Sequence, residues 1–281
     1  MPDQRSQFRV DRLGEEDGLR NMNVYLVAIA LSLASMATAA ELKTETLEAF
    51  DRYIRGTEAQ VAEQVSGKKN FLWADESRPR LEQARQGQVV AQPWNGRGAI
   101  PVPDGLIHDW IGTVFIPGAT LEAALALVSD YDNHYKLYAP EVIGSKVLEH
   151  SQDHYRLSLR LLKKKVVTVV LATEHDVQYY ALDGTRSYSR SYSTRIAQVK
   201  DPGKPNEREL PVGRDSGFLW RLYSYWRFEA RDGGVYMECQ AVSLTRDIPA
   251  GLGWLIKPII RDLPRESLER TLESTRRALG R

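Results

Sequence analysis

The sequence predicts an α+β fold: a curved antiparallel sheet of about seven strands wrapped around a long C-terminal helix, with an N-terminal helical extension ahead of it. Three observations carry this reading. Beyond Leu106 the chain falls into long β-like runs, most of them joined by a few residues, and short joints pair successive strands antiparallel. Residues 250–279 place Leu252, Ile256, Ile259, Leu263, Leu268, Leu272 and Leu279 on an amphipathic stripe that a sheet must cover. Residues 41–65 place Leu42, Leu47, Phe50, Tyr53, Ile54, Val61 and Val65 largely at helical spacing.

In chain order, Thr44 or Thr46 caps the first helix and Gly67 ends it. The stretch 71–105 carries Pro79, Pro93, Pro101 and Pro103 and reads as a connection with one short helix near Arg80–Gln86. Ile107–Ile116 is the first strand, stopped by Pro117-Gly118. Thr120 caps a helix over Leu121–Val128, and an aromatic helical segment, Tyr131–Tyr138, ends at Pro140. Strands follow at Val142–His150, His154–Leu162, Val166–Tyr180, Arg186–Val199 and Phe218–Ala230. A polar loop occupies Lys200–Gly217, and a turn at Asp232-Gly233-Gly234 leads into the seventh strand, Val235–Arg246. The final helix, Ala250–Leu279, is interrupted by Pro258 and Pro264.

Composition narrows the function. Thirty-eight Lys plus Arg against thirty-seven Asp plus Glu leave a net charge of +1, which offers no basic surface of the kind nucleic acid requires. With 42% hydrophobic residues the chain buries a sizeable core. One cysteine, Cys239, excludes a disulfide framework within the chain and a zinc site built on cysteines.

The N-terminus reads as a leader. Residues 21–40 carry no charge, their strongly apolar part Val24–Leu33 has the length of a signal-peptide core, and Ala37 and Ala39 stand at the −3 and −1 positions of a cleavage site. Cleavage after Ala39 or Ala40 sends the chain to the periplasm, the cell envelope or the exterior as a secreted protein; an uncleaved anchor is the other reading. Residues 1–21 carry five acids and four bases, unlike a short basic signal start, and Met22 offers an alternative translation start. The domains are then a leader over 1–40, an extension and connection over 41–105, and the sheet-and-helix domain over 106–281.

The order of these elements, with Val128-Ser-Asp-Tyr-Asp-Asn-His134, Tyr138-Ala-Pro-Glu-Val142, Ser145-Lys-Val-Leu148 and the close Asp247-Ile-Pro-Ala-Gly-Leu252, resembles the START-like helix-grip superfamily, also called SRPBCC. The resemblance is to its polyketide-cyclase and coenzyme-Q-binding branch and covers residues 106–280. It implies a helix-grip fold whose cavity holds a lipid, sterol, quinone or polyketide, with a minority of enzymes. It carries no catalytic residue across.

Within that frame the ligand candidates are Tyr188, Tyr192, Arg195, Trp220, Trp226, Ile256 and Ile259. On Arg186–Val199, alternation by two puts Tyr188, Arg190, Tyr192 and Thr194 on one face and Ser187, Ser189, Ser191, Ser193 and Arg195 on the other. Tyr188 and Tyr192 either line a cavity or form an exposed stacked face; inward serines leave room beneath the sheet in both cases. Trp220, Leu222, Trp226 and Phe228 share one parity and serve as a pocket wall or as plain core. Cys239 reads as a small buried hydrophobe, and Glu238, if inward, needs a partner such as Arg195 or Arg190.

Chemistry-bearing motifs are sparse. Gly251-Leu-Gly253 lacks the third glycine and the βαβ unit of a dinucleotide site. Asp130, Asp132 and Glu141 have Tyr135 where a calcium loop needs glycine. His150 and His154 flank a turn, and His175, between Glu174 and Asp176, is either a structural histidine or a general base. No cofactor, metal or nucleophile motif is read. The lysines at 163–165 form a solvated turn or a transient membrane contact through anionic head groups. Arg276 and Arg277 suit a helix C-terminus. The leading expectation is thus an exported binding or carrier protein for a hydrophobic small molecule, with a cyclase- or hydrolase-like enzyme or a protein-interaction module as alternatives.

Overall fold

The structure, a computed structural model, describes residues 40–164, 168–247 and 253–280, the last stretch with side chains from Asp262 onward. The expectations placed on residues 1–39, on Lys165 and on the side chains of Leu252, Ile256 and Ile259 lie outside the described residues.

Strand β1 (Ala40–Glu41) leads into α1 (Thr44–Val65), a 3-10 turn at Trp73–Glu76, α2 (Arg78–Arg85), β2 (Val90–Pro93), β3 (Ile100–Val102) and β4 (Gly105–Pro117). Helices α3 (Leu121–Ser129) and α4 (His134–Leu137) follow. Then come β5 (Val142–Ser151), β6 (His154–Lys164), β7 (Thr168–Ala181), β8 (Arg186–Lys200), β9 (Arg208–Glu209), β10 (Arg214–Asp215), β11 (Arg221–Arg231), β12 (Gly234–Arg246) and α5 (Gly253–Leu279). The main sheet has ten strands in the order β2-β4-β12-β11-β8-β7-β6-β5, with β3 beside β4 and β9 beside β8. The seven long strands are those the sequence predicts. The short ones, β2, β3 and β9, come from the proline-bearing connection and the polar loop, where a few residues satisfy the flanks of longer strands.

Local capping follows sequence at one helix and departs at another. Thr120 caps α3, its hydroxyl accepting from the Ala123 amide at 3.1 Å. Neither Thr44 nor Thr46 caps α1: Lys43 holds that position, and the Thr46 hydroxyl instead donates to the Pro103 carbonyl at 2.8 Å. Gly67, at φ 76°, follows the helix end as expected. Helix α5 runs through Pro258 and Pro264 without a break, each proline costing one amide donor within 27 residues.

Both faces of the sheet are covered, which the sequence did not reveal. On one face α3 and the second half of α5 pack on Trp110, Val114, Ile116, Phe228, Val235, Met237 and Cys239 through Ala124, Val128, Leu268 and Leu272. On the other, α1 lays Phe50, Ile54 and Val61 on Ile107, Tyr225, Val242 and Leu244. Strand β4 is consequently buried along twelve of its thirteen residues. The close approach of α5 depends on Gly112: a Cβ there would lie 2.6 Å from Leu272 Cδ1. The amphipathic extension 41–65 is therefore the second cover of the sheet.

Candidate ligand site on the inner face of the sheet

The α5 face of the sheet is built from strand rows that ladder pairing fixes. One row runs Tyr179, Ser189, Trp226, Cys239, Gly112; the next runs Tyr155, Val177, Ser191, Ser224, Ala241, Trp110. A third contains Leu157, His175 and Ser193, and Ser193 accepts the Leu222 amide at 3.0 Å. The middle of this face thus carries Ser189, Ser191, Ser193, Ser224 and Ala241, five small side chains on three adjacent strands. Small side chains leave unfilled height above a sheet that larger ones would occupy. Ser191, Leu222, Ser224, Trp226 and Ala241 keep part of their surface open, although they stand on central strands. The floor is bounded by apolar residues, Leu157, Leu159, Val177, Leu222 and Trp226 among them, and on the α5 side by Leu268 and Leu272.

In the middle of this face the polar groups of the described residues are neutral, while at its edge Lys163 pairs with Glu141 and Ser267 of α5. His175 Nε2 lies 3.0 Å from Thr173 Oγ1, whose own proton goes to the Leu159 carbonyl at 3.3 Å, so Nε2 is the protonated nitrogen and Nδ1 keeps its lone pair. Burial pushes the His175 imidazole down to about 4, which keeps it neutral. The Tyr131 and Tyr179 hydroxyls meet at 2.7 Å, and Tyr138 meets Thr275 of α5 at 3.2 Å. Burial raises the Tyr131 and Tyr179 hydroxyls and pushes Tyr138 and the Cys239 thiol up to about 12. Cys239 is accordingly a buried neutral thiol. Such a surface suits an apolar body with one or two hydrogen-bonding groups.

The opposite face, beneath α1, is polar in its middle. Arg227 and Glu238 pair there, and Glu238 also accepts the Trp73 and Ala74 amides at 2.8 Å each. The partner of Glu238 is thus Arg227; Arg190 faces the rings of Tyr180 and Tyr192, and Arg195 binds Glu209 and lies 4.0 Å from Glu174. Asp109 accepts from Tyr53 at 2.8 Å and from Gln240 at 3.0 and 3.1 Å, and burial raises its carboxyl to about 6.

The residues predicted for the site are therefore divided between two faces. Trp226 lies on the α5 face, stacked at 5.9 Å on Phe228. Tyr188, Tyr192 and Trp220 lie on the α1 side: Tyr192 donates to Glu58 of α1, Tyr188 stacks on Tyr180, and Trp220 packs in the cluster of Phe50 and Ile54. Arg195 is turned to the charged outer surface. Alternation along β8 turns its serines toward α5 and its tyrosines toward α1, and the register shift between Glu174 and His175 sets Arg195 opposite Glu174. His150 stacks on Tyr155 and His154 binds Asp176 at 2.8 Å; no metal-holding cluster occurs among the described residues. Lys163 is held by Glu141 and Ser267, so it joins β6 to α5 instead of standing free at a turn.

Thr173, Tyr131, Tyr179, Ser224 and Ala241 were not singled out from sequence. The Ser-Tyr-Ser alternation of β8 marked the room beneath the sheet, and Ala241 stands two residues from Cys239 on the same face of β12.

No family model and no curated protein matches the chain. Solved structures do. A STAR-related lipid transfer protein from Xanthomonas axonopodis is 17% identical over 66% of this chain and 100% of its own, with a TM-score of 0.43. A START superfamily protein from Mycobacterium smegmatis is 14% identical over 61% of this chain and 97% of its own, TM-score 0.40. An aromatase/cyclase from a Streptomyces species is 13% identical over 62% of this chain and 93% of its own, TM-score 0.39. At such identities the likeness is one of fold.

Proposed function

We propose that the protein binds or carries a hydrophobic small molecule, such as a lipid or an isoprenoid quinone, on the α5 face of its sheet. The observation that carries this reading is the group of small, part-open side chains, Ser191, Ser224 and Ala241, in the middle of an otherwise apolar face. A ligand body fills that height and gains about 25 cal/mol for each Å² of apolar surface removed from water. The hydroxyls of Thr173, Tyr131 and Tyr179 orient a polar head. We further propose that the chain acts after export, on the strength of Val24–Leu33 and Ala37-Thr-Ala39. Native mass spectrometry and solvent extraction of the purified protein test the binding reading: a co-purifying apolar compound supports it, and an empty protein that takes up no fluorescent fatty acid or quinone overturns it.

The lone pair on His175 Nδ1 favours a second reading, an enzyme that accepts a proton from a bound ligand. His175→Gln separates the two, since a carrier keeps its uptake and an enzyme loses turnover.

A further inference from the structure

The hydroxyls on the α5 face fall into two groups. Several have given their proton to the chain: Thr173 donates to the Leu159 carbonyl at 3.3 Å, Tyr179 to the Val128 carbonyl at 3.4 Å and Thr275 to the Thr271 carbonyl at 2.9 Å. Tyr131 therefore donates to Tyr179 and Tyr138 to Thr275, since each receiving oxygen has committed its own hydrogen. On β8, Ser187 donates to the Tyr180 carbonyl at 3.1 Å and Ser193 accepts the Leu222 amide at 3.0 Å. Ser191 and Ser224 differ: among the described residues neither hydroxyl has a hydrogen-bond partner.

These two serines face each other. Ser191 of β8 and Ser224 of β11 are a register pair, both part-open, with Ala241 next in the row. Directly opposed side chains hold their Cβ atoms about 4.5–5.5 Å apart, so one oxygen set between the two hydroxyls reaches both at hydrogen-bond distance. Room alone does not account for serine here, because Ala241 supplies the same room without a hydroxyl. Under a plain hydrocarbon each serine hydroxyl would lose its water and gain no partner, which opposes binding. Leu222 and Trp226 stand two residues to either side of Ser224 on the same face and wall the pair with apolar surface.

We propose that Ser191 and Ser224 together donate to one carbonyl oxygen in the body of the ligand, so that the ligand is an apolar molecule bearing a ring or chain carbonyl, such as a quinone or a ketone, in preference to a plain hydrocarbon chain. The inference rests on the binding reading given above and names the ligand class of that same face. A carbonyl oxygen has two lone pairs and no hydrogen, which matches two converging O–H donors. Tyr131 and Thr173, with their protons committed within the chain, accept and do not donate, so the carbonyl falls to the serine pair. A ring lying between Leu222 and Trp226 then keeps its faces on apolar side chains and turns one edge to the two hydroxyls.

The test pairs a 2-alkyl-1,4-naphthoquinone with the 2-alkylnaphthalene of the same chain length, two probes of similar shape of which one carries carbonyl oxygens. Displacement of a fluorescent apolar dye measures both on wild type, Ser191→Ala, Ser224→Ala and the double variant. Each alanine is expected to weaken the quinone about fivefold, the effect of one ordinary hydrogen bond, and the double variant to weaken it further. The naphthalene is expected to bind every variant at least as tightly as wild type, which also shows that each variant is folded. Equal losses for both probes, or no loss for the quinone, overturn the carbonyl contact and leave the binding face standing. Uptake of neither probe by wild type overturns the binding reading itself, and this inference with it.

Discussion

Arg227 and Glu238 face each other across the β11–β12 ladder with 0% of either side chain exposed, Nε to Oε2 3.3 Å. The pair lies under α1, where Gln64 accepts from Arg227 at 2.8 Å and the 3-10 turn at Trp73–Glu76 gives two amides to Glu238. It ties two separated parts of the extension to the sheet. Among the described residues Arg227 Nη2 has no partner, so the network is incomplete and its members depend on one another.

Removing one member leaves a buried charge unpaired. Glu238→Leu or Arg227→Leu is expected to cost about 3–5 kcal/mol, and the double variant clearly less than the sum of the two. Urea denaturation of the four proteins closes the cycle. Additive losses would show that the two residues act independently of each other.

Hairpin arithmetic fixes this pair, although the sequence reading named Arg195 or Arg190 as the partner of Glu238. The turn at Asp232-Gly233 sets Arg231 opposite Gly234, and counting back along both strands sets Arg227 opposite Glu238. Strand positions, the Thr120 cap and the serine parity of β8 were legible for the same reason, being fixed by period-2 alternation and local turn chemistry. Which face of β8 meets α5 was not, because that depends on where α1 docks, a contact between residues more than a hundred positions apart. Tyr188 and Tyr192 were left between a cavity wall and a stacked face, and they stand on the α1 side of the sheet.

Acid should unfold the protein through its buried histidines. Burial lowers His108, His134 and His175 from 6.5 to about 4. The unfolded chain then binds protons the fold refuses, so stability falls as pH drops from about 6.5 to about 4, by about 3 kcal/mol for each. Asp109 has the opposite sign: its carboxyl, raised from 3.8 to about 6, makes the fold lose stability as pH rises through that interval. Urea midpoints at pH 7 and pH 4.5 are expected to show a net acid loss. Asp109→Asn steepens that loss and stabilises the protein at pH 7, since Gln240 can turn its unpartnered Oε1 to the new amide. An unchanged pH dependence in Asp109→Asn would exclude the raised carboxyl.

Gly112 sets the distance between sheet and helix. A Cβ at this position meets Leu272 Cδ1 at 2.6 Å and Leu268 Cδ2 at 3.3 Å. Gly112→Ala is expected to lower stability by about 1–3 kcal/mol through overpacking, and Leu272→Ala in the same chain to recover part of it. Thermal melts of the single and double variants read the rescue. If Gly112→Ala is neutral, the helix has freedom to move outward that a close contact would deny it.

Filling the floor should separate binding from folding. Ser191, Ser224 and Ala241 lie in one row and retain open surface, so a larger apolar side chain there enters space the ligand would use. Ser224→Leu and Ala241→Leu add apolar bulk without leaving a buried polar group unpaired. Both are expected to keep the thermal midpoint within a few degrees, a change of about 1 kcal/mol or less, while reducing co-purifying lipid at least about tenfold, or 1.4 kcal/mol of affinity. On the α1 side, Tyr188→Phe changes a residue of the other face and leaves uptake intact. Lipid extraction and a fluorescent-ligand titration of the three proteins decide the matter. Equal uptake by the filled variants would move the ligand off this face, and lost uptake in Tyr188→Phe would move it beneath α1.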